Sequence, residues 1–492
     1  MKFMTLVLMV CVAEGAWAGV VPLDGNSLTV DGSGAVSAGG GYLDLSRDEP
    51  CLTPEDRVAI IADLQDSIAK LKDLGRLPSE SDPSVVVGLA WPVRAADHVR
   101  DPGVHGLSGF VDHNPAFPNQ LLDYDCGART YDLSSGYNHQ GTDIFTWPFA
   151  WHKMDDDDVE VVAAAPGIII QKYDGNFDRN CGFGAGDWNA VYVQHADGST
   201  IWYGHLKNGS LTSKMIGASV VTGEYLGIVG SSGNSTGPHL HLELYDQAWN
   251  LIDPWDGTCN TMNPSSWWID QPAYFDSAIN ALRTHSAPPD WQTCPTPTVT
   301  HEELFFQPNE LVYFITYYRD QIMNQTSNYT ILRPSGAVWR SWTGTVTVAH
   351  YAASYWWWSW VLPSDAQDGW WTFRVTFEGQ TEERIFAVGN PGATEVPHAG
   401  EFAVLHAPRP NPFNPSTEIT FIVSKPVDVR LRILDLRGRV VASLFEGFVE
   451  AGRSTAVWNG RTDEGNRASC GSYLVQLDSG SEVLTRSVTL IE

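Results

Sequence analysis

Between residues 159 and 244 the chain alternates short apolar runs with turn residues. Val159 to Ile170, Ala190 to His195, Thr200 to Tyr203 and Tyr225 to Val229 are β-branched and aromatic runs of strand length. Asp197-Gly198 separates two of them, and that dipeptide favours a hairpin turn. Gly233-Asn234-Ser235-Thr236-Gly237-Pro238 is rich in turn formers, and His239-Leu240-His241-Leu242-Glu243-Leu244 then alternates strictly. The period of two predicts a half-buried strand with His239 and His241 on one face and the leucines on the other. Helical periodicity is clear only from Pro54 to Leu74. There Thr53 is the predicted N-cap, Gly75 the stop, and Val58, Ile61, Leu64, Ile68 and Leu71 the apolar stripe. A second, short helix is predicted over Pro272 to Thr284.

The same pattern divides the rest of the chain. Pro288-Pro289 and Pro295-Thr296-Pro297 form a linker, followed by aromatic and β-branched strands at Leu311 to Tyr318, Trp370 to Phe377 and Arg384 to Val388. Tyr355-Trp356-Trp357-Trp358 fits a sandwich core or an interdomain contact, with sugar stacking as the alternative. Gly389 to Gly400 is a second linker. The final run has strands at 418–423, 427–434, 440–444 and 471–477, with Arg437-Gly438 turning a hairpin. The fold class is therefore mostly β: an antiparallel β-sheet module over residues 90–290, then two β-sandwich modules over 299–390 and 402–492. A region with one helix, residues 19–89, precedes them. Two readings stay open for that region: a helix packed on the next module, or a pro-segment that blocks it.

Residues 1–18 read as a secretory signal, with Lys2 at the basic end, an apolar run from Phe3 to Val12, and Ala16-Trp17-Ala18 as the cleavage site. No segment is long and apolar enough to span a bilayer. A formal charge of −28 repels nucleic acid and anionic lipid, so neither is an expected partner. Beyond the signal stand Cys51, Cys126, Cys181, Cys259, Cys294 and Cys470, an even set in an exported chain. The expected pairs are Cys126–Cys181 and Cys259–Cys294, because each brackets a coherent stretch. The acidic run Asp155 to Asp158 reads as a solvated loop, and His113, His152 and His195 read as structural.

The chemistry lies in three segments. His139 and Asp143 form an H-x-x-x-D, His205 follows Trp202-Tyr203-Gly204, and His239 and His241 form an H-x-H. Imidazole nitrogen and carboxylate oxygen are ligand types of a catalytic zinc that keeps one position open. In this order the motifs resemble those of the lysostaphin-like zinc metallopeptidases, the LytM-domain peptidoglycan endopeptidases, over about residues 90–276. The resemblance implies a β-sheet groove with one zinc ion on its floor. His139, Asp143 and His241 would be the ligands. His205 and His239 would be the catalytic pair, one acting as general base, preferably His239, and the other bonding the oxyanion. In some relatives a pro-segment asparagine fills the fourth zinc position, and Asn114 is the candidate by analogy.

The last module resembles the C-terminal sorting domains of type IX secretion and the related FlgD-like immunoglobulin tails. The matching residues are Asn411-Pro412-Phe413-Asn414-Pro415-Ser416-Thr417, Asp435-Leu436-Arg437-Gly438, Trp458-Asn459-Gly460 and Gly471-Ser472-Tyr473. Together the resemblances imply a secreted, monomeric zinc endopeptidase at the outer surface of a bacterium. Its partners would be peptidoglycan cross-link peptides and a secretion machinery. The alternatives are a zinc endopeptidase for Gly-rich proteins and a non-catalytic cell-wall-binding activator.

Overall fold

The His239–Tyr245 strand is central to an eight-stranded antiparallel sheet. Along the sheet the order is Ser219–Val220, Gly167–Tyr173, Ala190–Gln194, Thr200–Gly204, His239–Tyr245, Thr142–Thr146 and His105–Gly109, with Leu251–Ile252 also paired to the central strand. The structure is a computed structural model that describes residues 20–23, 28–31, 35–44, 51–82, 87–182, 186–389, 403–406, 408–423, 427–449, 452–480 and 483–491. The expected signal at 1–18 and nearly all of the second linker lie outside those residues. A second sheet of Tyr225–Ile228, Val159–Val162 and Val93–Ala95 contributes to one apolar core with the first, including Val161, Ile169, Val193, Ile201, Leu240 and Leu242. The architecture is mostly β, with two helices among the described residues.

The alternating strand is not half-buried. Every residue of His239–Tyr245 is buried, its polar face included. The cover comes partly from the N-terminal helix Pro54–Asp73, which carries a capping box between Thr53 and Asp56. Its Leu64 and Leu71 pack into a cluster with Ile170, Tyr192 and Trp202 on the sheet. The predicted stripe is wrong at one position. Val58 is 70% exposed and Arg57 takes the inward site, because a buried carboxylate awaits it there.

Two further expectations are corrected. The helix predicted over Pro272 to Thr284 is absent, and Ala278–His285 is instead a strand paired with Leu311–Ile322. Long-range pairing with an aromatic strand overrides the local helix preference of Ala and Leu. The disulfides are Cys126–Cys259 and Cys181–Cys294, with Cα separations of 5.2 and 5.8 Å. The reason is topological: the Cys259 amide bonds Tyr124 O at 2.9 Å, which sets that loop beside Cys126 rather than beside Cys294.

The N-terminal strands join the aromatic sandwich. Ser37–Leu43 pairs with His350–Val361, Val20–Leu23 pairs with Ser37–Leu43, and Leu28–Asp31 pairs with Val338–Val346. Glycine is required at Gly40, where a Cβ would meet the Tyr355 carbonyl oxygen of the neighbouring strand. Tyr355, Trp356 and Trp358 are buried, which fits core and interdomain packing and leaves those rings no face for a sugar. Tyr355 and Tyr317 share a cluster with Phe145, Trp147 and Phe149 of the module built on the eight-stranded sheet. The four predicted C-terminal strands form, with others, two small sheets around a separate core containing Leu431, Ile433, Trp458 and Val475.

Candidate metal centre and active site

Strand register assembles the site. His241 stands opposite Asp143 on one neighbour and opposite Gly204 on the other, so three motifs distant in sequence meet. One donor atom each from His139, Asp143 and His241 lies within 4.8 Å of the others, and all three residues are buried. His139 Nδ1 donates to Phe110 O at 2.7 Å, because a carbonyl can only accept. Its Nε2 then carries the lone pair and has no hydrogen-bond partner although buried. That nitrogen is 3.1 Å from Asp143 Oδ2. His241 Nε2 donates to Glu243 Oε2 at 3.0 Å, leaving Nδ1 2.7 Å from Asp143 Oδ1. Two electron-rich atoms that close need a proton or a cation between them. Burial would lower the His241 pKa, but Cys51 and Asp143 beside it raise it well above its ordinary value. An orphaned imidazole nitrogen, a carboxylate and a second imidazole nitrogen form a donor set that fits zinc.

His205 and His239 face the same centre, with ring centroids 4.4 Å apart. Their Nδ1 atoms are anchored to carbonyls, His205 to Ser232 O at 2.6 Å and His239 to Gly237 O at 2.8 Å. His239 Nε2 is 3.8 Å from Asp143 Oδ1. His205 has a φ of +62°, a backbone conformation that non-glycine residues adopt mainly where the surroundings enforce it, often at functional sites. A cavity of about 100 Å³ adjoins His239, lined by Phe145, Trp147, Trp291 and Cys294 among others.

The three histidines read as structural bond groups outside this set. His195 is buried and bonds Pro166 O at 2.8 Å, His113 pairs with Asp253 at 2.8 Å, and His152 bonds Thr298 O at 2.7 Å. The acidic run is ion-paired rather than merely solvated: Asp157 meets Lys207 at 2.6 Å, Asp158 meets His98 at 2.8 Å, and Asp155 meets Arg179. The Asn114 side-chain oxygen accepts from the Ala116 amide at 3.0 Å. The sequence reading passed over Arg57, Glu243 and Cys51 in the site's surroundings. Glu243 had a signal, being two residues beyond His241 on the same strand face. Arg57 had one too, seven residues before Leu64 and fourteen before Leu71, on the same helix face.

Residues 137–254 match the profile of Peptidase family M23, and residues 411–482 match that of the FlgD Ig-like domain. An 83-residue stretch, 17% of this chain, is 45% identical to the DD-carboxypeptidase/endopeptidase Mpg of Neisseria meningitidis serogroup B and to that of Neisseria gonorrhoeae. It spans only 16% of those relatives' length. Among solved structures, the catalytic domain of the prophage-encoded M23 protein EnpA from Enterococcus faecalis is 26% identical. That match covers 29% of this chain and 95% of that one, at a TM-score of 0.18. A zinc containing peptidase from Vibrio cholerae is 18% identical over 32% of this chain and 39% of its own, at a TM-score of 0.19. The segment that carries all five site residues is thus an M23 peptidase domain, and the chain's last module is a FlgD Ig-like domain.

Proposed function

We propose that this protein is a secreted zinc endopeptidase that hydrolyses peptide cross-links of bacterial peptidoglycan. The observation that carries the reading is the convergence of His139, Asp143 and His241 within 4.8 Å, inside an M23 domain. The residues that would hold the metal are these three. Bound there, zinc would act as a Lewis acid and bring a water within reach of deprotonation near neutral pH. The chain's own groups do the rest. With Nδ1 protonated towards Gly237 O, His239 presents a lone pair on Nε2 and serves as the general base. His205, held the same way by Ser232 O, takes the proton-donating role towards the oxyanion once protonated on Nε2. Glu243 fixes the His241 ring by accepting from Nε2. The cavity beside His239 is apolar enough to receive a substrate side chain.

The cell-wall substrate is supported by the similarity to the Neisseria DD-carboxypeptidase/endopeptidase. Export is supported by the two disulfides, which persist in oxidising compartments. The FlgD Ig-like module would engage a secretion machinery of type IX and deliver a monomer to the outer surface. The test is a digest of purified sacculi beside a Gly-rich peptide, with fragments identified by mass. Release of cross-link peptides supports the cell-wall reading, cleavage of the Gly-rich peptide alone favours the protein substrate, and no cleavage by zinc-loaded protein, whether it keeps Cys51 or carries Cys51→Ala, favours a binding role.

A further inference from the structure

We propose that Cys51 supplies a thiolate to the open position of the metal centre, so that residues 51–74 hold the uncleaved chain latent. The inference rests on the zinc reading of His139, Asp143 and His241. Cys51 is buried at 3% exposure and free, while four other cysteines are paired. Its sulfur lies 3.3 Å from Tyr137 Oη, 3.8 Å from His241 Nδ1 and 3.9 Å from His241 Nε2. Two ligands of one tetrahedral zinc, a sulfur at about 2.3 Å and a nitrogen at about 2.0 Å, stand about 3.5 Å apart. The sulfur is therefore near ligand spacing from His241. It is outside the group of donor atoms that lie mutually within 4.8 Å, so ligation draws it inward from Tyr137. A second observation that points to a metal between these groups is His139 Nε2, fully buried without a hydrogen-bond partner and 3.1 Å from Asp143 Oδ2.

The segment is built to hold that sulfur in place. Arg57 Nη1 donates to Leu52 O at 2.8 Å, clamping the residue next to Cys51, while Arg57 Nε donates to Glu243 at 2.7 Å. The capping box at Thr53 and Asp56 stiffens the turn that follows. Further along the helix, Ser67 Oγ donates to Ile170 O at 2.5 Å and Asp63 accepts from Gln171 at 2.8 Å, so the helix is fastened to the sheet. Ligation costs one proton, which passes from the thiol to solvent, and it excludes the water on which hydrolysis depends. Removal of the segment or of the sulfur returns that position to water.

The test loads Cys470→Ser protein that starts at Gly19, whose remaining cysteine outside the two disulfides is Cys51, with cobalt(II). Expected is a thiolate-to-cobalt charge-transfer band in the near ultraviolet that is lost in both Cys51→Ala and Cys51→Ser on that background. The serine variant preserves size where alanine disturbs packing. Turnover of a cross-linked peptide by the zinc forms of both variants should rise roughly tenfold or more over the parent, as the competent fraction rises. Stoichiometric cobalt without the band overturns the proposal. Failure to bind cobalt at all overturns both it and the zinc reading. A band with no rise in turnover on a cleaved substrate refutes latency. A band when no substrate is cleaved by any variant leaves the ligand standing and refutes the peptidase reading instead.

Discussion

Arg57 Nε donates to Glu243 Oε1 at 2.7 Å, in an ion pair whose side chains are 7% and 0% exposed. It joins the N-terminal helix to the strand that carries His241. Glu243 also accepts from His241 Nε2 at 3.0 Å and from Tyr245 Oη at 2.6 Å. Helix, carboxylate and the His241 imidazole thus form one chain of contacts. Burial would raise the Glu243 pKa, but the Arg57 charge and the His241 bond bring it down to about 2.

Removing Arg57 leaves that carboxylate buried and uncompensated. Arg57→Ala should lower unfolding stability by about 3–5 kcal/mol, the usual cost of breaking a buried pair from one side. Urea denaturation monitored by tryptophan fluorescence measures it. A loss below about 1 kcal/mol, the range of an exposed pair, would show that water reaches Glu243.

Ligand and non-ligand histidines should separate by metal content. In a Cys51→Ala background, His139→Ala, Asp143→Ala and His241→Ala each remove a donor, so zinc per chain and turnover should fall together. His205→Ala and His239→Ala should keep zinc but lose roughly two to four orders of magnitude in turnover. His195→Ala, whose ring bonds Pro166 O away from the candidate ligands, should do neither. Elemental analysis beside a peptide assay decides it, and a zinc-free His239→Ala protein would reassign the H-x-H pair.

The candidate site was legible because its residues are local in sequence: His139 and Asp143 share one segment, and His239 and His241 share one strand face. Strand order then needed only register, which period-two alternation constrains. The cover over that face was not legible. Periodicity places Leu64 and Leu71 inward, but it cannot say that Arg57 is inward as well to meet Glu243, or that Cys51 stops beside His241. The strand at Ala278–His285 was missed for the same reason, since its partner Leu311–Ile322 lies far along the chain. The disulfides depended on loop proximity that no spacing encodes.

The FlgD Ig-like module should be dispensable for chemistry. Its core is drawn entirely from residues beyond 402, and all five site residues precede 242. A chain ending at Gly389 should therefore keep its zinc, and in a Cys51→Ala background it should turn over a soluble peptide as fast as the full chain with the same substitution. Loss of turnover by a folded truncated protein would give the module a part in the site.

Acid stability should depend on Asp101. Its carboxylate meets Lys153 of the Ala150–Asp155 helix at 3.1 Å and Arg283 of the strand paired with the aromatic sandwich. Burial would raise its pKa, but Arg283 and then Lys153 bring it down from 3.8 to about 2. A group whose pKa is depressed on folding contributes stability above its unfolded value and loses that contribution as pH falls through its folded value. The contribution is thus fully present above about pH 4 and fades towards pH 2, with a size on the order of 2 kcal/mol. Asp101→Asn removes the titration while keeping the shape. The variant should be less stable than the parent at neutral pH, and the gap should close as pH falls from 4 to 2. Thermal unfolding across that range checks it. A gap of constant size would mean that Asp101 acts through hydrogen bonding alone, with no linkage to its charge.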